Sequence, residues 1–179
     1  VLHPRALIPL DGSRIQLQVR SFLTPGRPGT EVSARRTLER YPVKALASVP
    51  GQALVTVAGK GMMGVPGIAA RAFTAVHAAG LSVSTIFQAS SEMSIGFTLP
   101  EGEANHAVSA LKRAFRDELA WRTIDDVTSR HGLAVLAVVG EGMAGTPGIA
   151  ARVFTALAQG GVNVVAIAQG SSERNISFV

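Results

Sequence analysis

Apolar and polar side chains alternate along Ile15, Leu17 and Val19 against Arg14, Gln16, Gln18 and Arg20, which predicts a half-buried strand; the turn-rich TPGRPGT behind it reads as an exit loop. A polar, arginine-rich connector over 31–40 leads to a short apolar run, 43–49, expected to be a strand ended by Pro50-Gly51. From there the pattern becomes regular. The small and β-branched run 53–58 fits a buried strand, and the glycine-rich stretch 59–64 turns the chain. Pro66 suits the first position of a helix, where a missing N–H is no loss, and Ile68, Ala69, Ala72, Phe73 and Val76 recur at helical spacing until Gly80. A second strand is expected over 81–87 and a polar turn over 89–92. Met93, Ile95, Phe97 and Leu99 then alternate with Ser94, Gly96 and Thr98 as a third strand with one buried face. Ala107, Val108, Leu111, Phe115 and Leu119 form the apolar stripe of a helix over 104–120. Strand, helix, strand, strand, helix, completed by one further strand, is the split βαβ, ferredoxin-like unit, an α+β fold.

The pattern is then written a second time. Residues 54–98 return at 135–179 without insertion or deletion, so Pro66 and Pro147, Arg71 and Arg152, Gln88 and Gln169, and Glu92 and Glu173 are each 81 positions apart. A repeat of this length is two copies of one folding unit, not a solenoid period of ~20 to 50 residues. The second copy is expected to start at Leu133 and run through a turn at 140–145, a helix from Pro147 to Gly160-Gly161, a strand over 162–168 and a last strand to Val179. No counterpart of helix 104–120 follows, so the second module is expected to be truncated and the chain to be part of a longer polypeptide. Modules this small bury a limited share of their surface, which favours packing the two together and a homodimer or higher homo-oligomer.

Composition removes several function classes. Without cysteine there is no disulfide framework or thiolate chemistry, and no apolar run of ~18 residues or charged-then-apolar leader points to a membrane, so a cytoplasmic protein is expected. The net charge of +5 raises nucleic acid as a partner until it is located. Residues 1–44 carry eight Lys or Arg against three acids and the remainder nine of each sign, so the repeated modules are neutral. They offer no basic stripe to track phosphates, and no nucleic-acid partner is expected.

GKGMMG (59–64) and GEGMAG (140–145) both satisfy GxGxxG between a strand and a helix. A dinucleotide fold needs an acid at the tip of the next strand, where this chain has Ile86-Phe87-Gln88 and Ile167-Ala168-Gln169. Two readings stand beside it: a glycine turn that lets strand and helix approach, and an anion site at the helix starts, where unpaired N–H groups and the helix dipole favour a carboxylate. In the anion reading Met62 and Met143, Val65 and Thr146, and Ile68 and Ile149 line the approach. Gln88 and Gln169, which donate and accept, stand at the end of strand two. No catalytic or metal-binding residue is expected: His3, His77, His106 and His131 are dispersed, and Ser90, Ser91, Ser171 and Ser172 read as turn residues. Arg71 and Arg152 are expected in solvated or dimer-contact roles, and Glu92 and Glu173 at an interface or a turn edge.

The pattern VxGxGMxGxPGIAARxF followed by QxSSExxIxF, given twice, resembles the tandem ACT-domain regulatory region of aspartokinases. AIAQGSSERNISFV, PVKALASV and the leader VLHPRALIPL with RSFLTPGRPGT are most similar to the bifunctional aspartokinase/homoserine dehydrogenases. The resemblance implies that residues 1–33 finish the kinase domain, that 34–50 are linker and strand, and that 51–121 and 122–179 are two ACT modules sharing an antiparallel sheet. The strand over 43–49 would complete the second module. It implies an effector site made by Met62, Val65, Gly67, Ile68, Ile86 and Gln88 and by Met143, Thr146, Gly148, Ile149, Ile167 and Gln169. The effector implied is L-threonine in preference to L-lysine, since lysine-sensing relatives place an acid on strand two where this chain has Ser84 and Val165. No cofactor is implied for this segment; ATP and magnesium would belong to a kinase domain upstream and NAD(P) to a dehydrogenase downstream. The alternatives are a dimerisation module that senses nothing and a lysine sensor.

Overall fold

The computed structural model describes residues 4–10, 12–13, 15–33, 41–88, 91–169 and 172–179. His3, Arg14, the connector over 34–40, Ala89 and Ser90 of the first polar turn, and Gly170 and Ser171 of its counterpart lie outside the described residues. The chain divides into two units, Val1–Glu39 and Arg40–Val179. In the first, Leu17–Val19 (β1) and Thr30–Val32 (β2) pair antiparallel across the expected loop, Leu17 opposite Val32. The predicted strand is present as β1 and Leu17 is half-buried, but Ile15 and Val19 are exposed, so the expected alternation of burial is absent.

The second unit is built on two long strands, Ala45–Ala58 (β3) and Asp126–Val139 (β6), paired antiparallel with Ala45 opposite Val139 and Ala58 opposite Asp126. β6 is β3 displaced by the repeat offset, so the duplication reaches further upstream than residue 54, and the pair relates the modules by an approximate twofold axis. Near that axis each strand carries a glycine in the left-handed region, Gly51 at φ 66° and Gly132 at φ 69°. The ladder register shifts beside them, between Val49 and Leu54. A left-handed glycine opens a bulge that bends and twists a strand without ending it, and a bulge tolerates the proline that cannot donate to the ladder. The expected strand end at Pro50-Gly51 is therefore a bend.

Helix Ile68–Ala78 (α1), strands Thr85–Gln88 (β4) and Ser94–Pro100 (β5), and helices Ala104–Ala114 (α2) and Arg116–Ala120 (α3) complete the first module. Helix Ile149–Gln159 (α4) and strands Ile167–Gln169 (β7) and Asn175–Phe178 (β8) belong to the second. The six-stranded sheet has the order β4-β5-β3-β6-β8-β7, antiparallel throughout, and its two ends, β4 and β7, approach each other. Each module is ferredoxin-like, and each takes its fourth strand from the other's long strand. Residues 126–130 of β6 close the first module against 54–58, and residues 45–49 of β3 close the second against 135–139. The first core gathers Val55, Val57, Ile68, Ala72, Val76, Phe97, Leu111 and Phe115; the second gathers Val138, Met143, Ile149, Ile176 and Phe178.

Three expectations are corrected. The helix over 104–120 breaks at Phe115 (φ −108°, ψ 27°), whose fully buried ring lies under the Arg71 guanidinium, and the Ala114 carbonyl freed at the break accepts from Arg71 Nη2 at 2.8 Å. The strands expected over 81–87 and 162–168 shrink to β4 and β7. Leu81 and Val83 pack on the core ahead of the β4 ladder. The stretch 126–131, which carries little apolar signal, is strand. No helix among the described residues is long and apolar enough to cross a membrane.

Candidate functional site

After β3 the chain makes a single 3-10 turn, Lys60–Met62, and then Val65-Pro66-Gly67-Ile68. Gly67 sits at φ 85°, ψ −1°, the third position of a type II turn, for which proline at the second position and glycine at the third are the favoured pair. Pro66 therefore belongs to the turn, and α1 starts two residues later than the proline suggests. Gly148 repeats this at φ 85°, ψ 0° before α4. Neither helix start has a side-chain cap. The first intrahelical bonds come from the Arg71 N–H to Gly67 O at 2.9 Å and the Arg152 N–H to Gly148 O at 3.0 Å. The amides of Ile68, Ala69 and Ala70, and of Ile149, Ala150 and Ala151, are the unpaired donors of a helix N-terminus.

The first glycines of each GxGxxG serve closure of the module. A Cβ on Gly59 would lie 2.4 Å from Thr123 O, and one on Gly140 2.0 Å from Pro42 O. Those neighbours belong to the fourth strand as it enters, bonded at the same place in both modules: Asp125 N–H to Ala58 O and Lys44 N–H to Val139 O, both at 2.8 Å. The inside of each glycine loop is thus filled by the chain's own backbone, which removes the room a pyrophosphate needs and leaves the helix starts as the anion-favouring feature.

Beside each helix start is a cavity. The first, about 330 Å³, is lined by Met62, Gly64, Val65, Pro66, Gly67, Ile68, Ala69, Gln88, Glu92 and Ile95. The second, about 140 Å³, is lined by Met143, Thr146, Gly148, Ile149, Ala150, Gln169, Glu173 and Ile176. Gln88 stands opposite Ile95 and Gln169 opposite Ile176, which turns both amides to the helix side of the edge strands. Ile86 and Ile167 are not brought in; they lie 49% and 53% exposed on the same strands. The Thr146 hydroxyl donates to Gly142 O at 2.7 Å and so holds its own turn. Glu92 and Glu173, for which the sequence suggests an interface or a turn edge, join the lining of the two cavities. Both have left-handed backbones (φ 56° and 55°), and each carboxylate accepts the N–H of the motif's third glycine, Gly64 at 3.2 Å and Gly145 at 2.9 Å. Their identical Ser-Ser-Glu context in both copies was the available signal.

Each cavity therefore presents backbone N–H groups that suit a carboxylate, one carboxylate that suits an ammonium, an amide that can both donate and accept, and apolar Met and Ile side chains. Arg71 lies outside it, paired with Glu118, whose carboxyl is held below its ordinary value chiefly by that hydrogen bond. His131 stands between Glu101 Oε1 at 3.5 Å and Ser129 Oγ at 3.0 Å on open strand surface, away from both cavities. Among the described residues no group of three or more His, Asp or Glu could hold a metal ion.

The ACT-domain profile matches residues 55–115 and 136–179. The chain is 40% identical over 179 residues to a bifunctional aspartokinase/homoserine dehydrogenase of Haemophilus influenzae, covering 100% of this chain and 22% of that protein. It thus spans about one-fifth of the length of the bifunctional curated relatives it matches. The crystal structure of the regulatory subunit of aspartate kinase from Thermus thermophilus, in ligand-free form, superimposes with a TM-score of 0.61 at 30% identity, over 77% of this chain and 87% of that one. E. coli aspartokinase III in complex with lysine and aspartate gives 0.71 at 29% identity, over 99% of this chain and 38% of that one. The chain belongs to the ACT-domain family and, within it, to the regulatory regions of aspartokinases.

Proposed function

We propose that the chain is the amino-acid sensor of an aspartokinase fused to a homoserine dehydrogenase, that each module binds one free amino acid, and that the effector is threonine in preference to lysine. The observation that carries this is the repeated donor and acceptor set: unpaired helix-start amides, Glu92 or Glu173, and Gln88 or Gln169 around one cavity in each module. The effector's carboxylate lies at the helix start, its ammonium at the glutamate, its hydroxyl at the glutamine and its methyl against Met62 or Met143. Each cavity lining holds a single acid, so the second ammonium of lysine meets no carboxylate. Occupancy slows the attached kinase through residues 31–50, and residues 1–33 finish that kinase's domain. ATP and magnesium serve the kinase, NAD(P) the dehydrogenase, and the protein works as a homodimer or higher homo-oligomer.

Thermal shift and calorimetry on the chain test this. A ligand bound only by the folded state stabilises it by about 2.7 kcal/mol at a hundredfold excess over Kd. Threonine is expected to raise Tm more than equimolar lysine. Gln88→Ala and Gln169→Ala are each expected to weaken threonine binding at their own site by about 1 to 2 kcal/mol. A shift with lysine and none with threonine reverses the effector; no shift with either leaves an architectural module that holds copies together.

A further inference from the structure

Two polar side chains are buried in the first module with nothing from the protein to bond to. Gln52 is 5% exposed and Thr98 fully buried, and among the described residues neither Gln52 Oε1 nor Thr98 Oγ1 has a hydrogen-bond partner. Leu54 stands opposite Thr98 and Gln52 opposite Pro100, so Gln52 and Thr98 are diagonal neighbours on one face of the β3–β5 pair. That face is turned away from the helices, because the alternate residues Ala53, Val55, Phe97 and Leu99 belong to the core beneath them. Diagonal neighbours stand about 7 to 8 Å apart, a separation that two side chains and one bridging water span. The other ladder neighbour of Gln52 is Leu133, and neither its side chain nor that of Pro100 donates.

The second copy shows that the fold does not require polar groups here. Displaced by the repeat offset, Gln52 becomes Leu133, Thr98 becomes Val179, and Thr85, opposite Thr98 on β4, becomes Ala166. Gly96 becomes Ser177. A Cβ on Gly96 would lie 3.3 Å from Leu54 Cδ1, so Leu54 extends over this glycine, on the side of Thr98 away from Gln52, and turns from the diagonal that joins the two unpaired oxygens. Buried oxygens are nearly always paired, with the protein or with ordered water, and the protein supplies no partner.

We propose that this face of the first module binds one internal water molecule, held between Gln52 Oε1 and the Thr98 hydroxyl with Thr85 as a third polar neighbour, and that the second module is dry at the equivalent place. The water donates to Gln52 Oε1, which only accepts, and exchanges a hydrogen bond with Thr98, which does both. Three polar neighbours are the usual complement of a buried water. It ties β3 to β5 and β4 beside the bend at Gly51, so the first module is joined there by hydrogen bonds where the second has the apolar side chains of Leu133, Ala166 and Val179. The inference is independent of effector identity.

The test uses the full 179-residue chain. Cross-relaxation between water and protein protons, measured by NMR, separates a long-resident internal water from surface hydration. A long-resident signal is expected at the Gln52 side-chain amide and none at Leu133 or Val179. Thr98→Ser, which keeps the hydroxyl, is expected to keep the signal at Gln52. Urea denaturation supplies the second readout. Gln52→Leu and Thr98→Val each remove one partner of the water and are each expected to raise the unfolding equilibrium constant about five- to tenfold, the scale of a hydrogen bond whose other member is left unpaired. The double replacement removes both partners and installs the pair found in the second module, so it is expected to return to within about twofold of the parent chain. A parent chain without a long-resident water at Gln52 overturns the proposal. Single replacements as stable as the parent, or single effects that simply multiply in the double variant, overturn it as well, since the two side chains would then share no occupant.

Discussion

Replacing Gly59 by alanine sets a methyl group 2.4 Å from Thr123 O, 2.5 Å from Ile124 Cα and 2.8 Å from Asp125 N. All three are backbone atoms, so no side-chain rotation relieves the clash and the fourth strand itself must move. Gly59 has an extended backbone (φ 179°) that any residue adopts, which makes the penalty purely steric. The strand that moves carries the Asp125 N–H bond to Ala58 O at 2.8 Å and the fully buried Ile124 side chain. Overpacking of this kind costs about 1 to 3 kcal/mol and the weakened hydrogen bond about 1 more, so a loss of about 2 to 4 kcal/mol is expected. Urea denaturation followed by circular dichroism measures it. Gly102→Ala is the control, since its Cβ meets nothing within 4 Å, and a change within about 0.5 kcal/mol is expected there. If Gly59→Ala proved as stable as the parent chain, the strand's approach would not require this glycine, and the phosphate-cradle reading of GxGxxG would return. Gly140→Ala, with its methyl 2.0 Å from Pro42 O, is expected to damage the second module at least as much.

Glu92→Gln and Glu173→Gln are each expected to weaken threonine binding at their own site by about 1.5 to 3 kcal/mol, the scale of a hydrogen bond to a charged group, in calorimetric titration. Unchanged affinity would return both carboxylates to holding the glycine turn alone. The Glu118 carboxyl is depressed in the folded state chiefly by its hydrogen bond from Arg71, so its stabilisation is complete above the unfolded value near ~4.3 and is lost as pH falls through the folded value. Glu118→Gln is therefore expected to be less stable than the parent at neutral pH and to converge with it in acid; a stability gap that stays constant down the acid range would refute the pairing.

What was legible followed from local period and from the repeat. The alternation from Met93 to Leu99 identified β5, the stripe from Ile68 to Val76 identified α1, and the offset of 81 carried both to the second module. What was illegible depends on partners far along the chain. Gly59 is required by Thr123 and Gly140 by Pro42, neighbours only in space. Pro50-Gly51 is a local stop signal that pairing with β6 overrides, because the bulge releases the proline from the ladder. The break at Phe115 is hidden by an apolar stripe that runs on to Leu119 through both helices. Pro66 fits a helix start and a type II turn equally well, and only the left-handed Gly67 decides between them. Glu92 joins the cavity through its own left-handed backbone and a contact with Gly64, neither of which composition or spacing reveals.

The exchange of strands gives the two cavities unequal positions in spite of their matching chemistry. Each cavity follows the end of a long strand, the first at Ala58 and the second at Val139. Ala58 is paired with Asp126, an interior point of the chain between two parts of the same unit, whereas Val139 is paired with Ala45, where the polypeptide enters it. The entering residues Pro42, Val43 and Lys44 lie against Gly140 and Gly142 of the second glycine turn, and Lys44 donates to Val139 O at 2.8 Å. That turn is held in turn by Glu173 through the Gly145 N–H. A ligand that draws the Glu173 carboxylate to its ammonium thus acts on the turn that grips the entering strand, while the same event at Glu92 acts on the start of β6. Under the proposed sensor reading, a ligand in the roomier first cavity is expected to stabilise the start of β6, and one in the smaller second cavity to alter how strongly the start of β3 is held. Two copies of one folding unit on a shared pair of strands thus differ by topology, because among the described residues it is the second glycine turn that lies against residues 42–44, just ahead of β3.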